Sequence, residues 1–199
     1  MAVRNEQVHE LVLQALETEQ GGIQVYETAL KCAANDELRE EWEKYLEQTR
    51  RHEQVMLDLC ATLGIDPRHE SPGRGVVRHI GESLVEAMRK AQQAADPGAA
   101  QLVACECVVL AETKDHLNWE LMEAVSKVAK GETKRALAAA VEEVEDEEDK
   151  HLYHTQGWTR ELWLDTLGLP AVLPPPEEEK DVSTAIGAAR AKQQREDMI

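Results

Sequence analysis

Glu148-Asp149-Lys150-His151 sets a carboxylate and an imidazole three residues apart inside a long run of helical hydrophobic spacing. Side chains at i and i+3 share a helix face. Glu148 and His151 therefore point the same way as Leu137, Val141, Val144, Trp158 and Leu162, toward the side expected to be buried. A carboxylate and an imidazole one turn apart, turned into a helical core, form half of a dinuclear metal site. The other half must come from other helices.

Three further apolar seams carry polar residues in their middles. Val8, Val12, Ala15, Glu19, Gly22, Tyr26 and Ala29 form one. Leu38, Trp42, Tyr45, Thr49, His52, Met56, Leu59 and Leu63 form the second, and Leu102, Cys105, Val109, Glu112, His116, Trp119 and Met122 the third. All advance in steps of three and four, the spacing of a helix with one buried stripe. Helices of this length span about 40 Å at 1.5 Å per residue, so mid-seam positions meet near the centre of a bundle. Burying an isolated carboxylate there costs on the order of several kcal/mol unless it is paired or binds metal. The two halves also match: Glu19 precedes Tyr26 by seven residues as Glu112 precedes Trp119, and Thr49-Arg50-Arg51-His52 sits in the second seam as Glu148-Asp149-Lys150-His151 sits in the fourth.

The elements that must position these residues read as all-α. Ala, Leu, Glu, Gln and Lys, all strong helix formers, dominate the 199 residues, and Phe is absent. Long helices are expected at about 6–33, 36–63, 98–130 and from about 133 to 168. Asn35 and Asp96-Pro97 read as starts, and Gly64, Gly131, Gly168 and Pro170 as stops. Residues 64–75 read as a loop and 76–95 as a shorter amphipathic helix with Val77, Ile80, Leu84 and Met88 on one side. This connection is too long for a hairpin and can bring the third long helix in parallel to the second. Residues 1–168 form the helical domain. Residues 169–199 hold Pro174-Pro175-Pro176 and an acidic run, then an arm in which Ala185, Ile186, Ala189 and Lys192 share a side.

Over about residues 6–166, and at Glu19 with Tyr26, His52, Glu112, and Glu148 with His151, the chain resembles the ferritin-like superfamily: ferritin, bacterioferritin, rubrerythrin and smaller stress-associated relatives. The resemblance implies a four-helix bundle with a long crossover and two metal ions between its hairpins. It also implies oxidation of iron, or activation of oxygen or peroxide. Glu19, His52, Glu112, His116, Glu148 and His151 are the expected ligands, with Tyr26 and Trp119 beside them. One departure matters, because the family pattern has a glutamate where this chain has Thr49. Glu53 and His116, each one turn from a site position, are candidate substitutes. Carboxylates with two or three imidazoles favour iron or manganese, and zinc fits by geometry. Alternatives remain open: a single metal, a metal-free structural or interaction bundle held by buried Glu–His pairs, or an iron-storage assembly.

The formal net charge of −17 argues against nucleic acid and anionic membranes, which require a basic footprint. No apolar run reaches membrane-spanning length, and the first residues carry no signal-like apolar stretch. Cys32, Cys60, Cys105 and Cys107 form no Cys-x-x-Cys pair and read as buried thiols of a cytoplasmic protein. A homo-oligomer, dimer or larger, is expected. His69 and His79 read as ordinary surface or loop residues, and His154 as a reserve ligand or a solvated side chain.

Overall fold

A computed structural model describes residues 4–94, 96–177, 189–190, 192–194 and 196. The protein is all-helical, with no strand among the described residues. The helices are α1 (Asn5–Ala29), α2 (Asp36–Leu63), α3 (Pro72–Gln93), α4 (Pro97–Val128) and α5 (Gly131–Thr166). None of them is long and apolar enough to cross a membrane.

Contacts of α1 with α2 and α4, and of α5 with α2 and α4, close these four helices into a ring, and α3 lies against α1 and α4. Helix ends fix the directions. Ser71, at the start of α3, donates from its hydroxyl to Glu10 near the start of α1 (3.1 Å). Further along, Gly81 comes against Gly21, a Cβ built on Gly81 lying 3.7 Å from the Gly21 Cα, so α3 follows α1 in the same direction. At its far end α4 begins beside the α1–α2 turn, where Gln101 Oε1 accepts from the backbone of Ala34 and Asn35 (both 2.7 Å). Hence α4 runs parallel to α2.

Caps explain several boundaries. Asn35 accepts from the Leu38 N–H at 2.9 Å, and Asp96 from Gly98 and Ala99 with Pro97 opening the helix behind it. Gly64 ends α2 at φ 66°, where the Ile65 N–H returns to the Cys60 carbonyl. Two expected boundaries move. Helix α3 starts at Pro72, not near residue 76, because Ser71 caps Arg74 N (3.1 Å) and Pro72 takes the first helical position. Gly131, expected as the stop of one helix, instead opens α5 at φ 64° while α4 ends at Val128.

The buried side of α3 also differs from the expected stripe. Met88 is buried as expected, but Ile80 is half exposed, and Arg74 and Val85 are buried with it. The α3–α1 contact is held by charge as well as packing. Arg74 Nε donates to Glu17 Oε2 (2.5 Å) with both side chains almost fully buried, and Arg78 Nε reaches Glu17 Oε1 (2.7 Å). The expected C-terminal arm is described only in part: Ala185 and Ile186 lie outside the described residues. Arg190 docks on α5 and the segment after it, donating to Glu161 (3.1 Å), Asp165 (2.6 Å) and the Leu169 carbonyl (2.9 Å).

Candidate metal centre

Two hydrophobic clusters fill the helical ring. One gathers Tyr26, Leu38, Trp42, Tyr45 and Trp158, and the other Val12, Leu16, Met56, Met122 and Leu137. Between them lies a polar layer. Glu19 from α1, His52 from α2, Glu112 and Asp115 from α4, and Glu148 and His151 from α5 are all buried there.

Glu148 sits at its centre. Its carboxylate belongs to two groups of potential metal donors, His52–Glu148–His151 and Glu19–Asp115–Glu148, in each of which the donor atoms lie within 4.8 Å of one another. His52 Nδ1 is 2.8 Å from Glu148 Oε1, although out of line for a hydrogen bond. His151 Nδ1 is 3.6 Å from both Glu148 Oε1 and Glu112 Oε2. Both oxygens of Glu148, and one each of Glu19, Glu112 and Asp115, are buried without a hydrogen-bond partner.

The histidines are oriented from outside the layer. His52 Nε2 lies 2.9 Å from Glu147 Oε2. Burial pushes the Glu147 carboxyl up, but Arg51, His52 and Gln48 together pull it down to about 2, so it can only accept. His151 Nε2 donates to Gln48 Oε1 at 3.0 Å. Each ring thus carries its proton on the outward nitrogen and turns the Nδ1 lone pair inward, the arrangement in which a carboxylate or amide behind a metal-ligating histidine sets its tautomer.

Electrostatics within the layer are repulsive. Burial raises the Glu19 carboxyl well above its ordinary range, and Asp115, Glu148 and Glu112 add to it; the indole N–H of Trp119, donated at 3.0 Å, offsets a part. Asp115 is raised well above its ordinary value by burial, with Glu148 and Glu112 contributing. Burial lifts Glu148 to about 8, partly countered by His151. His52 is lowered, chiefly by burial. Groups so placed resist carrying charge unless a cation joins them.

Five of the expected residues meet in this layer: Glu19, His52, Glu112, Glu148 and His151. His116 does not. It lies toward the outside between Asp149 and Glu120, each 3.6 Å from one of its ring nitrogens. Its neighbour Asp115 takes the inward position. Thr49 is buried, but its hydroxyl donates to the Tyr45 carbonyl (2.9 Å) and its methyl faces Gly22, so it offers no donor to the layer. Glu53 accepts from Gln20 (3.0 Å) between α1 and α2 and is not turned inward. His154 bonds Glu41 (2.6 Å) and Tyr45 (2.7 Å), away from Glu148. Tyr26 is fully buried, its ring centroid 6.3 Å from that of His151, and Trp119 holds Glu19.

Asp115 is not among the ligands expected from the seams, nor are Glu147 and Gln48, which orient the two rings. Asp115 was within reach, since it lies one turn after Glu112 on the same seam. The donor set suits divalent cations: four carboxylates and two neutral imidazoles balance two divalent charges, and oxygen with imidazole matches iron, manganese or zinc. Compared with known proteins, the chain matches no family model, no curated protein and no solved structure.

Proposed function

We propose that this chain is a ferritin-like four-helix bundle, with α3 as its crossover helix, holding a dinuclear iron or manganese centre for oxidation chemistry with oxygen or peroxide. One observation carries the reading: Glu148, fully buried, is shared by two donor triads and leaves both its oxygens unpartnered. Such a carboxylate would serve as a donor to both ions. His52, His151 and Glu112 would hold one, Glu19 and Asp115 the other. When bound, the metals supply the redox equivalents and a polarised site for the oxidant.

The chain's own residues do the rest. Glu147 and Gln48 fix the two imidazole tautomers, and Trp119 fixes Glu19. The aromatic and aliphatic clusters cover the layer toward both ends of the bundle. Tyr26 and Tyr45 stand beside His151, the Tyr45 ring centroid 4.3 Å from it, and give the oxidising site a protected wall. Asp115 provides the carboxylate that α2 lacks at Thr49.

The competing reading is a metal-free polar layer, favoured by one feature: a carboxyl at about 8 is largely protonated near neutrality and is easier to bury. Against it stand the unpartnered buried oxygens, each of which costs about 1–3 kcal/mol when left unsatisfied. The test is anaerobic titration of chelator-treated protein with ferrous iron, manganese and zinc, then exposure of the iron form to air. Two equivalents of iron or manganese are expected, with a ferric absorption band after oxidation and loss of binding in Glu148→Ala/His151→Ala that keeps its helical spectrum. No uptake of any of the three ions would overturn the proposal.

A further inference from the structure

Between α4 and α5 a cleft of about 180 Å³ opens at the surface, and Glu148, whose carboxylate oxygens are buried and unpartnered, is among the residues that line it. Glu120, Glu123, Glu145 and Asp149 line the same cleft, and no lysine or arginine does among the described residues. His116, Trp119, Val141 and Tyr153 also line it, and the Trp119 indole holds Glu19. Side-chain exposure falls inward along the acidic and imidazole groups, from 62% at Glu120 to 46% at Asp149, 16% at His116 and 2% at Glu148.

The α2–α5 side of the layer is built differently. There Gln48 and Glu147 occupy the outward nitrogens of His151 and His52, and Arg51 pairs with Glu147, so that carboxylate is already neutralised by a guanidinium. The surface cleft on that side, between Val55 and Ala140, includes Arg51 and no residue of the polar layer.

We propose that the α4–α5 cleft admits hydrated divalent cations to the buried site, and that His116 with Asp149 and Glu120 is a transit site on the way. This inference rests on the metal-centre reading above. The cleft is roomy enough for several waters, and so for an ion that keeps part of its hydration shell. The four carboxylates at the mouth concentrate cations and speed their encounter. His116 offers a ring nitrogen to each side, 3.6 Å from Glu120 and 3.6 Å from Asp149, so an ion can exchange water for an imidazole and a carboxylate before going deeper. Asp149 adjoins Glu148 in the chain, where the buried donors begin. This assigns His116 a role distinct from that of His52 and His151, which face the layer directly.

The test uses full-length protein freed of metal, with cobalt(II) as probe, its visible absorption followed by stopped flow and its final stoichiometry by elemental analysis. Three variants are compared with the wild type: His116→Ala, Glu120→Gln/Asp149→Asn, and Glu143→Gln on the α2–α5 side. The first two are expected to load about tenfold more slowly at low ionic strength, in the range by which focused charge changes association rates, and to reach the wild-type stoichiometry. Added salt should slow the wild type and barely affect the doubly neutralised variant. Glu143→Gln should load at the wild-type rate. The exposed positions of Glu120 and Asp149 keep the test open if His116→Ala folds poorly. Wild-type rates in both cleft variants would overturn the route, and a lowered stoichiometry would overturn the transit role by making His116 or Asp149 a resident ligand. No cobalt uptake by the wild type would instead refute the metal-centre reading itself.

Discussion

In the metal-free protein, Glu148→Gln should increase stability, and by an amount that grows with pH. Glu148 titrates at about 8 in the folded chain against an ordinary 4.5, mainly because it is fully buried. A carboxyl raised in this way binds more protons folded than unfolded, so its favourable contribution is complete below about pH 4.5 and is lost as pH rises toward 8. At about 1.4 kcal/mol per pH unit, the gap amounts to roughly 5 kcal/mol by pH 8.5 and about 3 kcal/mol at pH 7. Glutamine keeps the shape and removes the titration. Glu19 and Asp115, raised in the same direction, should leave a residual slope of the same sign in the variant. The assay is urea unfolding with a chelator present at pH 4.5, 7 and 8.5. With a urea slope of about 2 kcal/mol per molar, the midpoint of the variant should exceed that of the wild type by about 2 M at pH 8.5 and coincide with it at pH 4.5. Saturating iron or manganese should reverse the order, because ligand bound only to the folded wild type stabilises it by mass action. A wild-type midpoint that does not fall between pH 5 and 8.5, or a variant less stable at every pH, would refute the reasoning.

Three further outcomes follow from other contacts. Thr49→Glu places a fifth carboxylate beside the layer: the metal-free form should lose about 3 kcal/mol or more at pH 8 through added buried charge, and thermal melts should show this loss recovered on adding manganese. Arg74→Met removes one partner of the buried Glu17 carboxylate; with Arg78 still 2.7 Å from Glu17, the cost should be about 2–3 kcal/mol, below the roughly 3–5 kcal/mol of a fully orphaned charge, as read by urea unfolding. Arg190→Ala should cost about 1 kcal/mol, because Arg160 still holds the buried Glu161 at 2.9 Å, and limited proteolysis should cleave the chain beyond residue 177 faster than in the wild type.

The four long seams were legible because each is a sustained stripe at steps of three and four, and Glu19, His52, Glu112, Glu148 and His151 are buried where those steps put them. The misreadings along the seams share one cause. A period of 3.6 allows a step of three or four at each turn, so neighbouring residues compete for the same inward position. Asp115 competes with His116, Glu161 with Leu162, and Val85 with Leu84, and in each pair the first is buried while the second is more exposed. Chemical type favoured His116 as a ligand and Leu162 as core. Which neighbour turns inward is decided by how one helix crosses its partners, and no single helix's sequence records that. Arg74 was hidden for another reason: it stands in a stretch with three glycines and two prolines, where Ser71-Pro72 starts a helix instead of prolonging a loop.

The Thr49 departure and the Asp115 gain are best understood together. At position 49 the α1–α2 interface is tight, since a Cβ on Gly22 would lie 3.3 Å from the Thr49 methyl, and the hydroxyl is spent on the Tyr45 carbonyl. Helix α2 therefore contributes an imidazole alone. Helix α4 contributes two carboxylates one turn apart, Glu112 toward His151 and Asp115 toward Glu19. The buried layer holds four carboxylates and two imidazoles, which on the metal-centre reading balance two divalent ions, and three of the carboxylates stand on α4 and α5. That is also the side where the acidic cleft opens, whereas Arg51 covers the α2 side. On the proposed route an ion would meet carboxylates of falling exposure from Glu120 to Glu148, whereas on the α2 side Glu147 is already paired with Arg51. On the metal-centre reading, Asp115 supplies the carboxylate that position 49 lacks, on the side where the acidic cleft opens.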